Sequence, residues 1–224
     1  MSIFTRNLLK IITLSFIFIS QTVISGTDFN STLELAKKGN PDAEYAVGVA
    51  YANGTGTEKD FQKAIGWFRK AAEQGNVQAQ YNLALCYLNG WGSAQSYSQA
   101  LYWFQKAADQ NNVLAEYNLG LMYNNGLGVD TNYIIANTWF NRAIEKNYAP
   151  AKYVLGINYS NGHGVSRDNA KAIQLLQSAA KDNYDPAYYG LGIFNQYGIG
   201  MPENLKQAFQ YYLKAAELGN IERL

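Results

Sequence analysis

The sequence predicts an all-α protein: a superhelical α/α solenoid of five helix–turn–helix repeats, each 36 residues long. Three observations predict it. From Pro41 the 224-residue chain repeats itself at a period of 36 without insertions, and a fixed period of roughly 20–50 residues marks a repeat array. Each unit carries two apolar stripes at helical spacing. Between the stripes every unit places a G-x-G, which ends one helix and turns the chain.

Residues 1–25 read as a secretory signal peptide. Met1 to Lys10 holds Arg6 and Lys10 and no acid, the run from Ile11 to Ile24 is largely apolar, and cleavage is expected after Ser25 or, next, after Gly26. An uncleaved anchor is the alternative, but the stretch is short for a span of ~20 residues and ends in Ser20, Gln21 and Thr22. Residues 26–40 form an N-terminal capping helix, with Leu35-Ala36 at its small-residue site and Gly39-Asn40 at its end. The five repeats follow as 41–76, 77–112, 113–148, 149–184 and 185–220, and residues 221–224 open a sixth that stops.

Position 3 of each repeat is Ala43, Ala79, Ala115, Ala151 or Ala187, and position 5 is Tyr45, Tyr81, Tyr117, Tyr153 or Tyr189. Positions 7–8 pair an aliphatic with a small residue, from Val47-Gly48 to Leu191-Gly192, and position 11 is Tyr in four repeats and Asn195 in the last. At about 100° per residue, positions 3, 7 and 11 share one face of a first helix, A. Positions 24, 27, 28, 31 and 32 make the stripe of a second, B: Ala64, Trp67-Phe68 and Ala71-Ala72 in the first repeat. Gly75, Asn111, Asn147, Asn183 and Gly219 close the repeats near position 35, where a left-handed residue ends a helix. The small residues at 3, 8, 24 and 31 imply that A and B approach nearly backbone to backbone, since glycine costs ~1 kcal/mol in a helix without such a reason. One hairpin cannot bury both stripes; stacked neighbours can.

The pattern A-x-Y-x-L-G-x-x-Y-x-x-G-x-G, then A-x-x-W-F-x-x-A-A-x-x-G, resembles the Sel-one-like repeat (SLR) family, a relative of the tetratricopeptide repeat, over residues 41–220. The resemblance implies a right-handed solenoid that serves as an adaptor for proteins, peptides or glycans, in bacteria often in envelope functions or contact with host cells. One exported branch of relatives is rich in cysteine and has been linked to penicillin binding and β-lactam hydrolysis. This chain has only Cys86, so that enzymatic alternative rests on resemblance alone.

Composition narrows the function. The formal net charge is +1, and removal of residues 1–25 leaves 16 basic against 17 acidic residues. That balance argues against nucleic acid, and a membrane enters only if the N-terminal segment stays uncleaved. One cysteine and one histidine, His163, cannot build a zinc site, and no nucleophile–base pair is marked. No cofactor and no metal are expected, and the reading is a secreted or periplasmic, non-catalytic scaffold for a protein or peptide, with a glycan as a further ligand class.

The face of helix A opposite its core stripe is expected to line a concave groove. Its candidate contacts are Gln78, Tyr81, Asn82, Asn89, Tyr117, Asn118, Asn125, Tyr153 and Asn161. Amides can pair with an extended backbone, and tyrosines offer rigid contact area. The recurring tyrosines also read as packing between neighbouring A helices, and the asparagines before each G-x-G as helix-end residues. Asn82 and Asn118 stand at a position that is Ala46, Val154 and Gly190 elsewhere, which singles them out. Trp91 and His163 occupy the G-x-G loops, Trp91 as an exposed contact and His163 as an exposed loop residue. Cys86 reads as a small, partly buried filler. The end without a capping helix is expected either to be cut short or to meet a partner or a second copy.

Overall fold

The computed structural model describes residues 29–219. The signal segment and the start of a sixth repeat lie outside those residues. Eleven helices and no strand occur among the described residues: α1 (Phe29–Lys37), α2 (Pro41–Asn53), α3 (Phe61–Glu73), α4 (Val77–Asn89), α5 (Tyr97–Asp109), α6 (Val113–Asn125), α7 (Tyr133–Glu145), α8 (Ala149–Asn161), α9 (Asn169–Lys181), α10 (Asp185–Gln196) and α11 (Leu205–Leu218). Helix α1 precedes the first repeat, and each following pair is one A helix and one B helix. The chain is an all-α solenoid of five repeats.

Local chemistry sets the helix ends. Every B helix starts on a side chain that accepts the third backbone N–H: Asp60 from Lys63 at 3.0 Å, Ser96 from Gln99 at 3.4 Å, Asn132 from Ile135 at 3.1 Å, Asp168 from Lys171 at 2.9 Å and Asn204 from Gln207 at 3.0 Å. Each such cap contributes about 1 kcal/mol. The A helices start on Asn40, Asn76 and Asn112 in the same way, whereas Tyr148 and Tyr184 make no side-chain cap and a proline follows at the helix start instead. At position 35, Gly75, Asn111, Asn147 and Asn183 take positive φ, of 92°, 65°, 59° and 57°. Gly219 does not: it is extended, at φ −110° and ψ 166°.

The chain divides into two compact units. The first holds α1 to α5, α6 as far as Leu121, and Leu127–Val129. Ala36, Ala43 and Val47 form one buried cluster at its start, and Phe68 and Phe104 are fully buried beyond it. The second holds the rest of α6 and α7 to α11. Phe140, Leu176 and Phe194 are among its fully buried large side chains. Within each unit, helices consecutive in sequence pack against each other.

The small residues of helix A do admit close approach, though what approaches differs from expectation. A Cβ on Gly48 would lie 2.6 Å from the Phe68 ring, and one on Gly192 would lie 2.5 Å from Tyr212. The position-28 ring therefore fills the space over glycine within its own hairpin. At Gly156, where position 28 is Leu176, the B-helix backbone comes near, with the Ala172 carbonyl 3.2 Å from a Cβ.

Successive repeats are joined at the second glycine of each G-x-G. A Cβ on Gly92 would collide with the Phe61 carbonyl at the start of the preceding B helix; on Gly128 it would lie 2.6 Å from Tyr97 Cβ, and on Gly164 2.7 Å from Tyr133 Cβ. These glycines also hold φ near +70°. Gly92→Ala therefore combines a steric clash with a left-handed strain and should lower stability by roughly 3 kcal/mol. Gly66→Ala, mid-helix with nothing within 4 Å of the new Cβ, should raise it by ~0.5–1 kcal/mol. Urea denaturation followed by circular dichroism measures both.

Candidate partner-binding site

The A helices are interior elements. Tyr81, Asn82, Tyr117, Asn118 and Tyr153, expected in an open groove, are only 2–6% exposed. The aliphatic residues beside them, including Val49, Leu85 and Ile157, are buried too. Helix A is thus covered on the face opposite its core stripe as well as on the stripe itself. The neighbours responsible are other A helices. Burial pushes the Tyr45 phenol on α2 up in pKa, and a hydrogen bond with Asn82 on α4 opposes that rise in part. A Cβ on Gly190 of α10 would lie 3.3 Å from the Tyr153 ring of α8. Position 6 of one repeat therefore meets position 5 of the repeat before it. The irregularity that singled out Asn82 and Asn118 reflects this packing. Asn118 spends its amide within its own helix, donating to the Leu114 carbonyl at 2.8 Å.

Four of the nine candidates stay accessible: Gln78 and Asn161 are exposed, Asn89 and Asn125 half-buried. Asn89 donates to the Leu85 carbonyl at 2.9 Å, as a helix-end residue does. All of the last three lie at the loop end of an A helix.

The loop residues are seam residues rather than free contacts. Trp91 is half-buried and stacks on Phe61 with centroids 5.7 Å apart, and His163 stacks on Tyr133 at 4.3 Å. Each covers the start of the preceding B helix, beside the glycine that touches it. Cys86 is fully buried, and desolvation pushes its thiol up to about 12.

Two features of the second unit were not anticipated. The first is a buried cluster of amides. Asn158 Nδ2 donates to Asn124 Oδ1 at 3.0 Å and to Asn137 Oδ1 at 2.7 Å, and Asn137 Nδ2 donates to the His163 carbonyl at 2.8 Å. The cluster ties the loop of one repeat to the A and B helices of another. Position 10, Asn158 here, is Ala50, Cys86, Met122 and Phe194 in the other repeats, and position 25, Asn137 here, is Ile65, Leu101, Ile173 and Phe209. Aligning the repeats would have shown both departures. The second is an exposed apolar pair at the start of α7: Ile134 is 69% and Ile135 37% exposed. The same positions read Gln62-Lys63, Ser98-Gln99, Ala170-Lys171 and Lys206-Gln207 elsewhere. Gly164 abuts the Ile134 backbone, 2.7 Å from a would-be Cβ to its nitrogen. The loop edge of repeats three and four thus gathers Tyr133, Ile134 and His163 over an amide-held loop.

A part-buried polar contact also ties the ends of individual hairpins. In the first unit Gln74 donates to Glu44 at 2.7 Å and Gln110 to Gln80 at 2.8 Å; in the second, Lys152 pairs with Asp182 at 2.6 Å. Positions 4 and 34 thus vary together across these repeats. Among the described residues, no three His, Cys, Asp or Glu side chains gather as a metal site, and no helix is long and apolar enough to cross a membrane.

Comparison with known proteins gives a consistent picture. The Sel1 repeat model matches residues 41–76, 77–112, 113–148, 149–184 and 185–220. A Sel1 repeat protein from Oxalobacter formigenes is similar in structure, with TM-score 0.79 and 32% identity, over 87% of this chain and 84% of that one. A protective antigen of uropathogenic Escherichia coli strains with an SLR fold gives TM-score 0.77 and 32% identity, over 86% of this chain. This chain spans 41% of that antigen's length. An immunity protein of Pseudomonas aeruginosa gives TM-score 0.55 and 29% identity, over 80% of this chain and 65% of its own. No curated protein matches.

The buried thiol carries a pH dependence with a definite sign. An exposed thiol ionises near pH 9, whereas Cys86 in the fold holds its proton to about 12. Between those values the unfolded chain loses the proton first, so folding stability is intact below pH 9 and falls as pH rises, by about 1.4 kcal/mol per unit for this group. Tyr148, raised from 10 to about 12, acts in the same direction. Cys86→Ala, which installs the residue found at Ala50, should remove the thiol's share. Urea titrations at pH 8, 9.5 and 10.5 should show a smaller decline in the variant than in the parent.

Proposed function

The chain belongs to the Sel1 repeat family, and from that premise we propose that it is an exported, non-catalytic adaptor that holds a protein or peptide partner, in an envelope function or in contact with a host. A solenoid of stacked hairpins supplies a stiff surface, and its specificity comes from the side chains that the stack leaves outside. The observation that carries the reading is the exposed Ile134-Ile135 pair. Nothing in the repeat architecture calls for it, because four sister repeats fold without it. Exposed apolar groups rimmed by polar ones favour protein contact.

On this reading the partner sets an apolar residue against Ile134 and the Tyr133–His163 stack. The accessible amides of Asn125 and Asn161 pair with its backbone from the same loop edge. Gln78 and Asn89 offer the same chemistry in the first unit. Tyr81, Asn82, Tyr117, Asn118 and Tyr153 then serve the scaffold. A glycan would need exposed ring faces, and Tyr133 and His163 turn theirs on each other, so a peptide fits better. Export rests on the order of basic, apolar and small residues in 1–25. The E. coli relative is a protective antigen and the Pseudomonas relatives are immunity proteins, roles that support work through contact with other molecules.

Affinity capture from native extracts, with bound proteins identified by mass spectrometry, should recover a partner whose yield drops at least tenfold when Ile134 and Ile135 are both changed to Glu, with helicity unchanged. Equal capture by the double variant would sink this surface. Intact-mass measurement of the exported form should find an N-terminus near Gly26; a retained Met1 would argue instead for an anchored protein.

A further inference from the structure

One seam carries two departures from the repeat at once. The start of α7 bears the exposed Ile134 and Ile135, and beside it lies the cluster of Asn124, Asn137 and Asn158, each less than a tenth exposed. The fold does not require that cluster. Ile65 and Ile173 stand where Asn137 does, and Cys86 and Phe194 where Asn158 does. A Cβ on Gly92 or Gly200 would still overlap the preceding helix start there, as it would on Gly164. At Gly200 the Ile173 side chain takes the place of the amide, with its Cδ1 3.4 Å from such a Cβ. Buried amides are costly unless they are bonded, and what bonded amides add over an apolar contact is direction.

That direction falls on one residue, His163. Its N–H donates to the Asn158 backbone carbonyl at 2.9 Å, a bond that Thr55, Trp91 and Ile199 make in their own loops. Its carbonyl accepts from Asn137 Nδ2 at 2.8 Å, and no other repeat has an amide at that position. Asn158 Nδ2 donates to Asn137 Oδ1 at 2.7 Å, which settles that the Asn137 amide turns its donor toward the loop. His163 is thus gripped on both sides of its backbone. Its ring lies on Tyr133 with centroids 4.3 Å apart and planes 17° apart, closer than the 5.7 Å of Trp91 on Phe61. Tyr133 is the residue before Ile134, and Gly164, the residue after His163, abuts the Ile134 nitrogen. We propose that Asn137 and Asn158 are positioning residues for this apolar edge: their hydrogen bonds fix the His163 ring on Tyr133 and so present Ile134 in one preformed shape. On the adaptor reading, on which this rests for the use of the edge, a partner then meets a surface already ordered and is spared the cost of ordering it.

His163 is the single histidine of the chain, so its imidazole C–H protons can be followed alone by NMR, and a tyrosine stacked face-on shields them. In the purified parent chain these signals should lie upfield of those in Tyr133→Leu, which carries the residue that Leu205 supplies in the fifth repeat. The triple variant Asn124→Leu, Asn137→Leu, Asn158→Met installs the side chains found at the same positions one repeat earlier, Leu88, Leu101 and Met122. Exchanging all three amides together leaves none of them orphaned. Its circular dichroism should match the parent's, and its imidazole signals should move to the Tyr133→Leu position. Its capture of the parent's partner from the same native extract should fall at least tenfold, although Ile134 and Ile135 remain. Asn137→Leu alone removes the bond to the His163 carbonyl and leaves Asn158 bonded to Asn124; it should move the signals in the same sense, and it decides the matter where the triple variant does not fold. Unshielded signals in the parent, or shielded signals in the variants, would overturn the proposal. So would displaced signals with capture at the parent's yield. A parent that captures nothing sinks the adaptor reading instead, and the imidazole signals then decide the positioning by themselves.

Discussion

A glycine with no room for a side chain joins each repeat to the one before it. The second glycine of G-x-G sits against the first residue of the preceding B helix, so closely that a Cβ on Gly92, Gly128, Gly164 or Gly200 would overlap it. The same glycines stand in the left-handed region, which β-carbon-bearing residues enter at a cost of ~1–2 kcal/mol. Two independent requirements thus fall on one atom. Their consequence is positional: once the glycine seats, the residue before it must lie over the start of that helix. Trp91 on Phe61 and His163 on Tyr133 are the results. The loop is committed to the seam, and what it presents outward is decided by the helix start it covers.

The close approach also explains why the A helices are interior. Ala at position 3 and Gly or Ala at position 8 let the B helix of the same hairpin lie tightly on one side, with rings such as Phe68 and Tyr212 over the glycines. The opposite side then has to be closed by the next A helix. Tyr45 against Asn82, and Tyr153 against Gly190, are that closure. Surface for recognition is left to the B helices, the loop edges and the ends.

Helix number, helix ends and turn chemistry were legible because each is local. Asn111, Asn147 and Asn183 take the left-handed conformation that their spacing implied, and all ten glycines of the five G-x-G loops hold positive φ. Gly219 departs from that rule and leaves its helix extended, at φ −110° and ψ 166°. The B-helix caps from Asp60 to Asn204 were equally readable as Asp, Ser or Asn at one fixed position, had the repeats been aligned there. The groove was not legible. A helical wheel assigns the face opposite the core to solvent, and that holds only for a helix with neighbours on one side. Helices A have neighbours on both, so Tyr81, Asn82, Tyr117, Asn118 and Tyr153 went into the core. The amide cluster escaped notice for a related reason: its members lie at positions 124, 137 and 158, which only the stacking of repeats brings together.

Because one scaffold is written five times, every repeat is a control for the others. Residues that recur are accounted for by the seams they build. Residues that depart need a cause outside the common fold. The departures run in two opposed directions. Asn124, Asn137 and Asn158 put amides where other seams are mainly apolar, which would cost a few kcal/mol if they lacked partners; bonded to one another and to the His163 carbonyl, they hold one loop in one register. Ile134, Ile135 and Leu213 do the reverse and put apolar groups where polar ones suffice. An amide network inside a seam constrains the array, whereas an apolar side chain in water adds nothing to its stability. The first kind of departure is explained within the chain; the second is explained only by something that covers it.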